Sequence, residues 1–265
     1  MIALLVSMAY GAGFEVAQQS AIAAGTAHAA TARTDAAAAW FNPAALADGQ
    51  GFRGAIGASL ASSRINAISL DADSDWTART APGVSVPPHL YASYARGPWT
   101  AGVSANAAFA GGVAWPEDWP GRFDIILSKP TFFRIAPFFG WNFGPVSIAA
   151  GPHLDAGSLQ IAKATNHIDT EGVALMALGG TGVGGHAALH AHFGPVNLGF
   201  SYKSRTRLKL NGDADFDVPQ AFASSYPDQD VSTQWTLPDR LSLGASAAFG
   251  PVTLLGDLGY TTWSV

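Results

Sequence analysis

The chain contains no cysteine, so thiolate nucleophiles, Cys-based metal sites and disulfides are all excluded. That absence suits a periplasmic or outer-membrane protein but does not separate it from a cytosolic one. Charge is scarce as well. Asp, Glu, Lys and Arg make up 12% of the 265 residues, against about 25% in an ordinary soluble domain. The formal net charge is −5 with no cluster of Lys and Arg, so nucleic-acid binding has no electrostatic footprint. Long hydrophobic runs are missing too. No uninterrupted stretch reaches the roughly 18 apolar residues that a spanning helix needs. Yet 48% of the residues are hydrophobic and 30 are glycine, which is too apolar for a disordered chain.

What is present is a repeated turn. Phe-Gly-Pro-Val occurs at residues 143–146, 193–196 and 249–252, with a looser copy, Arg-Gly-Pro-Trp, at 96–99. The recurrence at roughly fifty residues marks repeated supersecondary units. Gly accepts turn dihedrals, and Pro fixes φ while giving up a ladder donor. On either side of each turn the chain alternates. Val196, Leu198, Phe200 and Tyr202 interleave with Asn197, Gly199, Ser201 and Lys203. Leu241, Leu243, Ala245, Ala247 and Phe249 interleave with Ser242, Gly244, Ser246 and Ala248. A period of two is the strand signature.

Tight turns at one end alternate with longer polar connections, near residues 62–88, 113–130, 162–171 and 211–237. Outer-membrane barrels show this asymmetry. A soluble β-sandwich also alternates, but its turns recur every 8–12 residues or so and its solvent face carries more charge. The pattern therefore predicts an all-β, antiparallel transmembrane barrel whose apolar side meets lipid. Nine strands are expected, near 51–61, 89–96, 99–111, 131–143, 146–160, 172–193, 196–210, 238–249 and 252–265. Bacterial barrels close with an even number, so a truncated wall is expected. The apolar start, residues 1–11, resembles the end of a secretory signal without its basic region. Residues 12–50 do not alternate; their Ala-rich stretch has weak helical character and suits a plug inside the barrel.

At this point the chain resembles the FadL/OmpP1/TodX family of outer-membrane transporters for long-chain fatty acids and other hydrophobic compounds. The resemblance lies in Ala12-Gly13-Phe14-Glu15, in Asn42-Pro43-Ala44 within Trp-Phe-Asn-Pro-Ala-Ala-Leu, and in Pro120-Gly121-Arg122-Phe123. It continues through residues 199–205 and 210–216, Leu237-Pro238 with 241–244, and 254–257 with Tyr260-Thr261 and Trp263-Ser264. Each motif alone is weak; the ordered set spans the chain. The resemblance implies a fourteen-stranded barrel with an N-terminal luminal hatch, of which nine strands are here. It implies a bacterial outer-membrane location, a monomer and no cofactor. The implied mechanism is ligand capture at outer loops, hatch movement, and lateral release through a kink in the third strand, where Asn106, Gly111 and Gly112 are candidates. The Asn42-Pro43-Ala44 motif would anchor the hatch, and Phe14 would touch ligand.

The remaining candidates come from the residues themselves. Lys203, Arg205, Arg207 and Lys209 share one parity of the seventh strand. Facing inward they would attract a carboxylate; above the bilayer they would be solvated or meet lipopolysaccharide phosphates. Trp115, Trp119, Phe123, Phe132 and Phe133 surround the second long connection, and Phe222, Tyr226 and Trp235 the fourth; they form either an aromatic belt or a greasy landing groove. His186, His190 and His192 suit a luminal polar row better than a metal site. Asp213, Asp215 and Asp217 suit a solvated strand end better than a calcium site. No catalytic constellation is visible. Two other classes stay in view beside transport of fatty acids or aromatic hydrocarbons: a lipid-acting outer-membrane enzyme, which needs a Ser or Asp beside a His at the surface, and an adhesin barrel with a closed lumen.

Overall fold

The computed structural model describes residues 14–70, 74–167 and 169–263; the expected signal remnant at 1–11, with Ala12, Gly13 and Ser264, lies outside them. Two short helices come first, α1 (Ala21–Gly25) and α2 (Ala38–Phe41), followed by a 3-10 turn at Pro43–Asp48. The strands are β1 (Gly51–Ala58), β2 (Ala61–Ser63), β3 (Asn66–Ile68), β4 (Thr77–Arg79), β5 (Gly83–Ser85), β6 (Pro88–Arg96), β7 (Trp99–Ala110) and β8 (Val113–Ala114). They continue with β9 (Leu127–Asn142), β10 (Val146–Asn166), β11 (Glu171–Phe193), β12 (Val196–Lys203), β13 (Thr206–Asp217), β14 (Gln229–Leu237), β15 (Arg240–Phe249) and β16 (Val252–Thr261).

One antiparallel sheet carries the chain, in the order β1-β6-β7-β9-β10-β11-β12-β15-β16. β13 continues β12 beyond a two-residue break and pairs with β11 and β14; β14 leads into β15 in the same way. The wall is therefore nine strands, two of them interrupted. At the four tight turns Gly97, Gly144, Gly194 and Gly250 all adopt positive φ, between 59° and 97°, the conformation that makes glycine necessary there.

Three connections differ from expectation. The hairpin of β10 and β11 runs unbroken to the pair Asn166–Glu171, leaving only residues 167–170 outside strands. The expected connection at 211–237 is largely ladder, because β13 pairs with β14 from Thr206–Leu237 to Ala214–Gln229. β9 begins at Leu127 rather than near 131. Spanning strands need only about 9–11 residues, so β9 to β11 and β13 to β14 project well past the lipid at the loop end.

The sheet must curl. Arg53 on β1 donates to Thr34 O at 3.0 Å, and Asp257 on β16 accepts from Thr31 N at 2.8 Å. Those strands are eight spacings apart, about 38 Å in a flat sheet, whereas residues 31 and 34 are neighbours. The wall therefore wraps around residues 14–48. Towards the turn end its outer face is apolar: Phe52, Ile56, Phe139, Leu154, Leu189, Leu198, Leu243 and Leu258 are exposed. Its inner face there is small or polar, with Ser104, Asn106, Ser147, His153, Asp155, His190 and Ser201 buried. This is a soluble protein turned inside out, and lipid is the solvent that explains it.

Candidate functional site

The segment inside the wall is built for close approach. Ala37, Ala38, Ala39, Ala44, Ala45 and Ala47 are all buried. Asn42 caps the 3-10 turn, its Oδ1 accepting from Ala44 N at 3.2 Å, with Pro43 at the first position where no donor is needed. Both its amide hydrogens are used: Nδ2 donates to Thr31 O at 2.8 Å and to Leu189 O of the wall at 3.0 Å. The Asn-Pro-Ala sequence is thus at once an Asx-type cap and a wall contact. Asp48 ends the turn; it accepts from Ser147 Oγ at 2.7 Å and Asn142 Nδ2 at 2.9 Å, and His190 Nδ1 lies 2.8 Å away. On the far side Asp257 accepts from Ala30 N, Thr31 N and Thr31 Oγ1 at 2.6–2.9 Å. Gly199 and Gly244 face each other across β12 and β15. A Cβ at either would strike Thr31, so these two glycines let the plug lie on the wall. The sequence gives neither of them a contact role, although both occupy inward positions, Gly199 between Leu198 and Phe200 and Gly244 between Leu243 and Ala245.

Residues 14–19 form an arm with different contacts. β7 pairs with β6 only as far as His89–Asn106, and its register with β9 shifts between Ala107 and Phe109. The edge that β6 leaves is taken by the arm: Val16 N donates to Ala108 O, and Ala110 N to Phe14 O, each at 3.0 Å. Gln19 seals the corner. Its Nε2 donates to Ala107 O at 2.7 Å, its Oε1 accepts from Asn106 Nδ2 at 2.7 Å, and its carbonyl accepts from Tyr91 OH at 2.6 Å. Asn106 thus marks the bend in the third wall strand. Gly111 and Gly112 lie beyond it, on a cavity of about 480 Å³ bordered also by Ile65, Val84, Val86 and Leu127.

Inside, Phe14 closes an aromatic cage. Its ring centroid lies 5.7 Å from Phe109, 6.1 Å from Phe132, 5.9 Å from Trp235 and 5.1 Å from Trp263. Leu159, Leu178, Leu208, Leu210 and Leu237 belong to the same apolar cluster. Towards the turn end the lining becomes polar: Arg134 holds Asp155 bidentately at 2.8 and 2.9 Å, His153 stacks on His186 at 6.2 Å, and Lys203 Nζ sits 3.5 Å from the Trp40 ring centroid. The interior has two storeys, apolar above and polar below.

Several expected groupings are not what folds. Lys203, Arg205, Arg207 and Lys209 do not share a face. Lys203 pairs with His186 and Lys209 with Thr181, so β12–β13 spends six residues where β11 spends five. That bulge at Ser204 and Arg205 reverses the parity. Lys203 points in and is buried, whereas Arg207 and Lys209 point out. Arg205 is held by Asp239, its Nε donating at 2.8 Å and its backbone N at 2.9 Å. The aromatic groups also divide. Trp115 stacks on Trp119 at 4.3 Å with Trp76 nearby, and Arg122 lies over Phe123 at 4.5 Å while pairing with Glu171. Phe222 and Tyr226 flank His167 at 4.7 and 4.9 Å. Phe132 and Trp235 leave both loop groups and line the inner cage. Among the described residues no group of three or more side chains is arranged to hold a metal.

An apolar outside, a polar inside and a plug hydrogen-bonded across the lumen define a transmembrane β-barrel with an internal hatch. The chain matches over residues 2–265 the family described as outer membrane protein transport protein (OMPP1/FadL/TodX), and it belongs to that family. Its fold is that of a FadL homologue from Pseudomonas aeruginosa, at 16% identity and a TM-score of 0.82, covering 96% of this chain and 70% of that one. The toluene transporters TbuX of Ralstonia pickettii and TodX of P. putida are also similar, each at 16% identity and a TM-score of 0.63, covering 86% and 87% of this chain and 67% of theirs. No curated protein matches the chain. Members of the family are outer-membrane transporters of hydrophobic compounds, not enzymes.

Proposed function

We propose that this barrel passes long-chain fatty acids across the outer membrane without an energy source, releasing them sideways into the bilayer. The observation that carries the reading is the double duty of the arm. The same few residues put Phe14 into the aromatic cage and fill the edge between β6 and β7. Withdrawing the arm opens the inner chamber and the wall together. The plug behind it, residues 20–50 of a hatch spanning 12–50, stays fastened by Asn42, Asp48 and Asp257, with residues 51–265 as its wall.

Capture falls to the half-buried aromatics of the loops, Trp115, Trp119 and Phe123, and to Phe222. Trp235 acts deeper, in the cage. A tail gains about 0.8 kcal/mol per buried CH₂, so a long acyl chain is drawn from loops to leucine-lined chamber. Release runs past Asn106, Gly111 and Gly112 through the cavity of about 480 Å³. Lys203, buried on the inner face with an aromatic ring as its neighbour, favours cargo with an anionic head. Arg207 and Lys209 face outward just above the lipid band, where lipopolysaccharide phosphates lie, and the barrel works as a monomer. A second reading, uptake of aromatic hydrocarbons, rests on the likeness to TodX and TbuX and on an all-aromatic cage.

The absence of cysteine makes a direct test available. Val16→Cys with Ala108→Cys would staple the arm to β7. Oxidised protein is expected to lose labelled oleate uptake in cells and to regain it on reduction. Unimpaired uptake in the oxidised form would overturn the gating role of the arm.

A further inference from the structure

On the outer face of β12 and β13 the chemistry changes in a fixed order. Lowest come Leu198 and then Tyr202, which stands opposite Leu241, itself opposite Tyr260. Leu198, Leu241 and Tyr260 are exposed. Arg205 follows, its charge already held by Asp239. Next are Arg207 and Lys209, exposed on one face and about 7 Å apart along the strand. Among the described residues neither has an ion-pair partner. Their cross-strand neighbours are uncharged hydrogen-bonding side chains: Thr236 opposite Arg207, and Gln234 and Thr181 on either side of Lys209. Carboxylates come only further up, where Asp213 and Asp230 face each other about 13 Å beyond Lys209. That exceeds the screening length of about 8 Å in physiological salt. On β9 and β10 the outward pairs Ile135–Leu154, Phe133–Ala156 and Thr131–Ser158 carry no charge. The two cations are therefore concentrated on one side of the wall, directly above its apolar strip.

We propose that Arg207 and Lys209 bind a phosphate of lipopolysaccharide, with the acyl chains of its lipid A lying down the apolar strip beneath. This extends the outward placement of the two residues given above to a bound partner, and it does not depend on the cargo. The order of the surface matches the order of such a glycolipid. Hydrocarbon lies against Leu198 and Leu241, phosphate against the two cations, and sugar hydroxyls against Gln234, Thr236 and Thr181. Tyr202 and Tyr260 sit at the junction, where rings with a polar tip are favoured. Arg offers phosphate a planar pair of charge-assisted donors and Lys adds a point charge. Asp213 and Asp230 repel the same anion, which confines it to the two cationic rungs. A simple phospholipid brings one phosphate and no phosphorylated sugar, so it fills only part of the surface.

The test is binding of three probes to the purified full chain in detergent: lipid A with its phosphates, lipid A freed of them, and phosphatidylglycerol. The unaltered chain is expected to bind phosphorylated lipid A at least about tenfold more tightly than the dephosphorylated form, and more tightly than phosphatidylglycerol. Arg207→Gln combined with Lys209→Gln is expected to abolish that preference. Lys129→Gln, which removes an exposed cation on β9 away from this surface, is expected to keep it. A preference that survives the double substitution, or that Lys129→Gln removes equally, overturns the site. Equal binding of phosphatidylglycerol and lipid A also overturns it, leaving a surface that attracts any anionic lipid. Heat-modifiability on gels checks the fold of the double variant; should it fail, Lys209→Gln alone decides, by whether the preference falls. Labelled oleate uptake separates this site from the passage. If the unaltered chain takes up no oleate yet shows the preference, the passage falls and the site stands; if it takes up oleate without the preference, the site alone falls.

Discussion

The wall below the bulge and the wall above it follow opposite rules with the same alphabet. Below, on β12, Leu198, Phe200 and Tyr202 face out while Ser201 and Lys203 are buried inside. Above, on β13, Arg207 and Lys209 face out while Leu208 and Leu210 are wholly buried. Hydrocarbon outside demands the first arrangement and water outside the second. One inserted residue converts one to the other without changing the alternation. The consequence is the two-storey interior: the inversion turns leucines inward, where the passage proposed above would rest a hydrophobic cargo, and leaves the polar lining where the hatch is anchored.

Deleting Ser204 is the harshest test of that comparison. It would drive Arg207 and Lys209 into the chamber and Leu208 and Leu210 out. Unpaired buried charge makes such a change strongly destabilising, by at least about 3–5 kcal/mol. The heat-modifiable form on gels should disappear; a normally folded barrel would mean that the inversion is not set by register. A gentler test uses one strand. Leu189 and Leu175 are both outward on β11, 40% and 37% exposed. Leu189→Arg lies in the lipid band and should cost about 2–4 kcal/mol, whereas Leu175→Arg beyond it should cost about 0–1 kcal/mol. Equal costs in denaturant unfolding would place the lipid boundary elsewhere. Next, Asn42→Ala removes a cap and strands the buried Thr31 carbonyl and the part-buried Leu189 carbonyl, for about 1–3 kcal/mol. Limited proteolysis should then cut the hatch before the wall.

Much of this was legible in sequence because strands facing lipid must alternate and tight turns need Gly at positive φ. The four Gly-Pro turns and nine wall strands follow from those two demands. The inversion was not legible. From Leu198 to Leu210 the apolar residues stay on even numbers throughout, so nothing marks the extra residue. It is held from a distance, by Asp239 on Arg205 and by Ser204 Oγ accepting from Gly185 N at 2.9 Å. Phe132 and Trp235 were misplaced for a related reason: they adjoin loops in sequence, but ladders extending beyond the bilayer carry them inward. Glu15 of the arm pairs with Arg240 at the start of β15, far away in sequence, and no local pattern announces it.

The hatch anchors differ among themselves in what pH does to them, and Asp48 offers the finest test. Burial alone would raise its carboxyl, but hydrogen bonding with His190 and Ser147 and the nearby positive character of His190 and His192 outweigh it and hold the group below the usual carboxylate range. A group with a lowered folded value contributes stability above its unfolded value and loses it as pH falls through the folded one. The Asp48 anchor is therefore intact at neutral pH and lost only in acid, below the ordinary carboxylate range. Asp48→Asn should loosen the hatch slightly at neutral pH, seen as faster amide exchange at residues 44–48, and should flatten the acid limb of that exchange. If the acid limb persists in Asp48→Asn, the titrating anchor is not Asp48 and the turn-end fastening must be sought at Asp257.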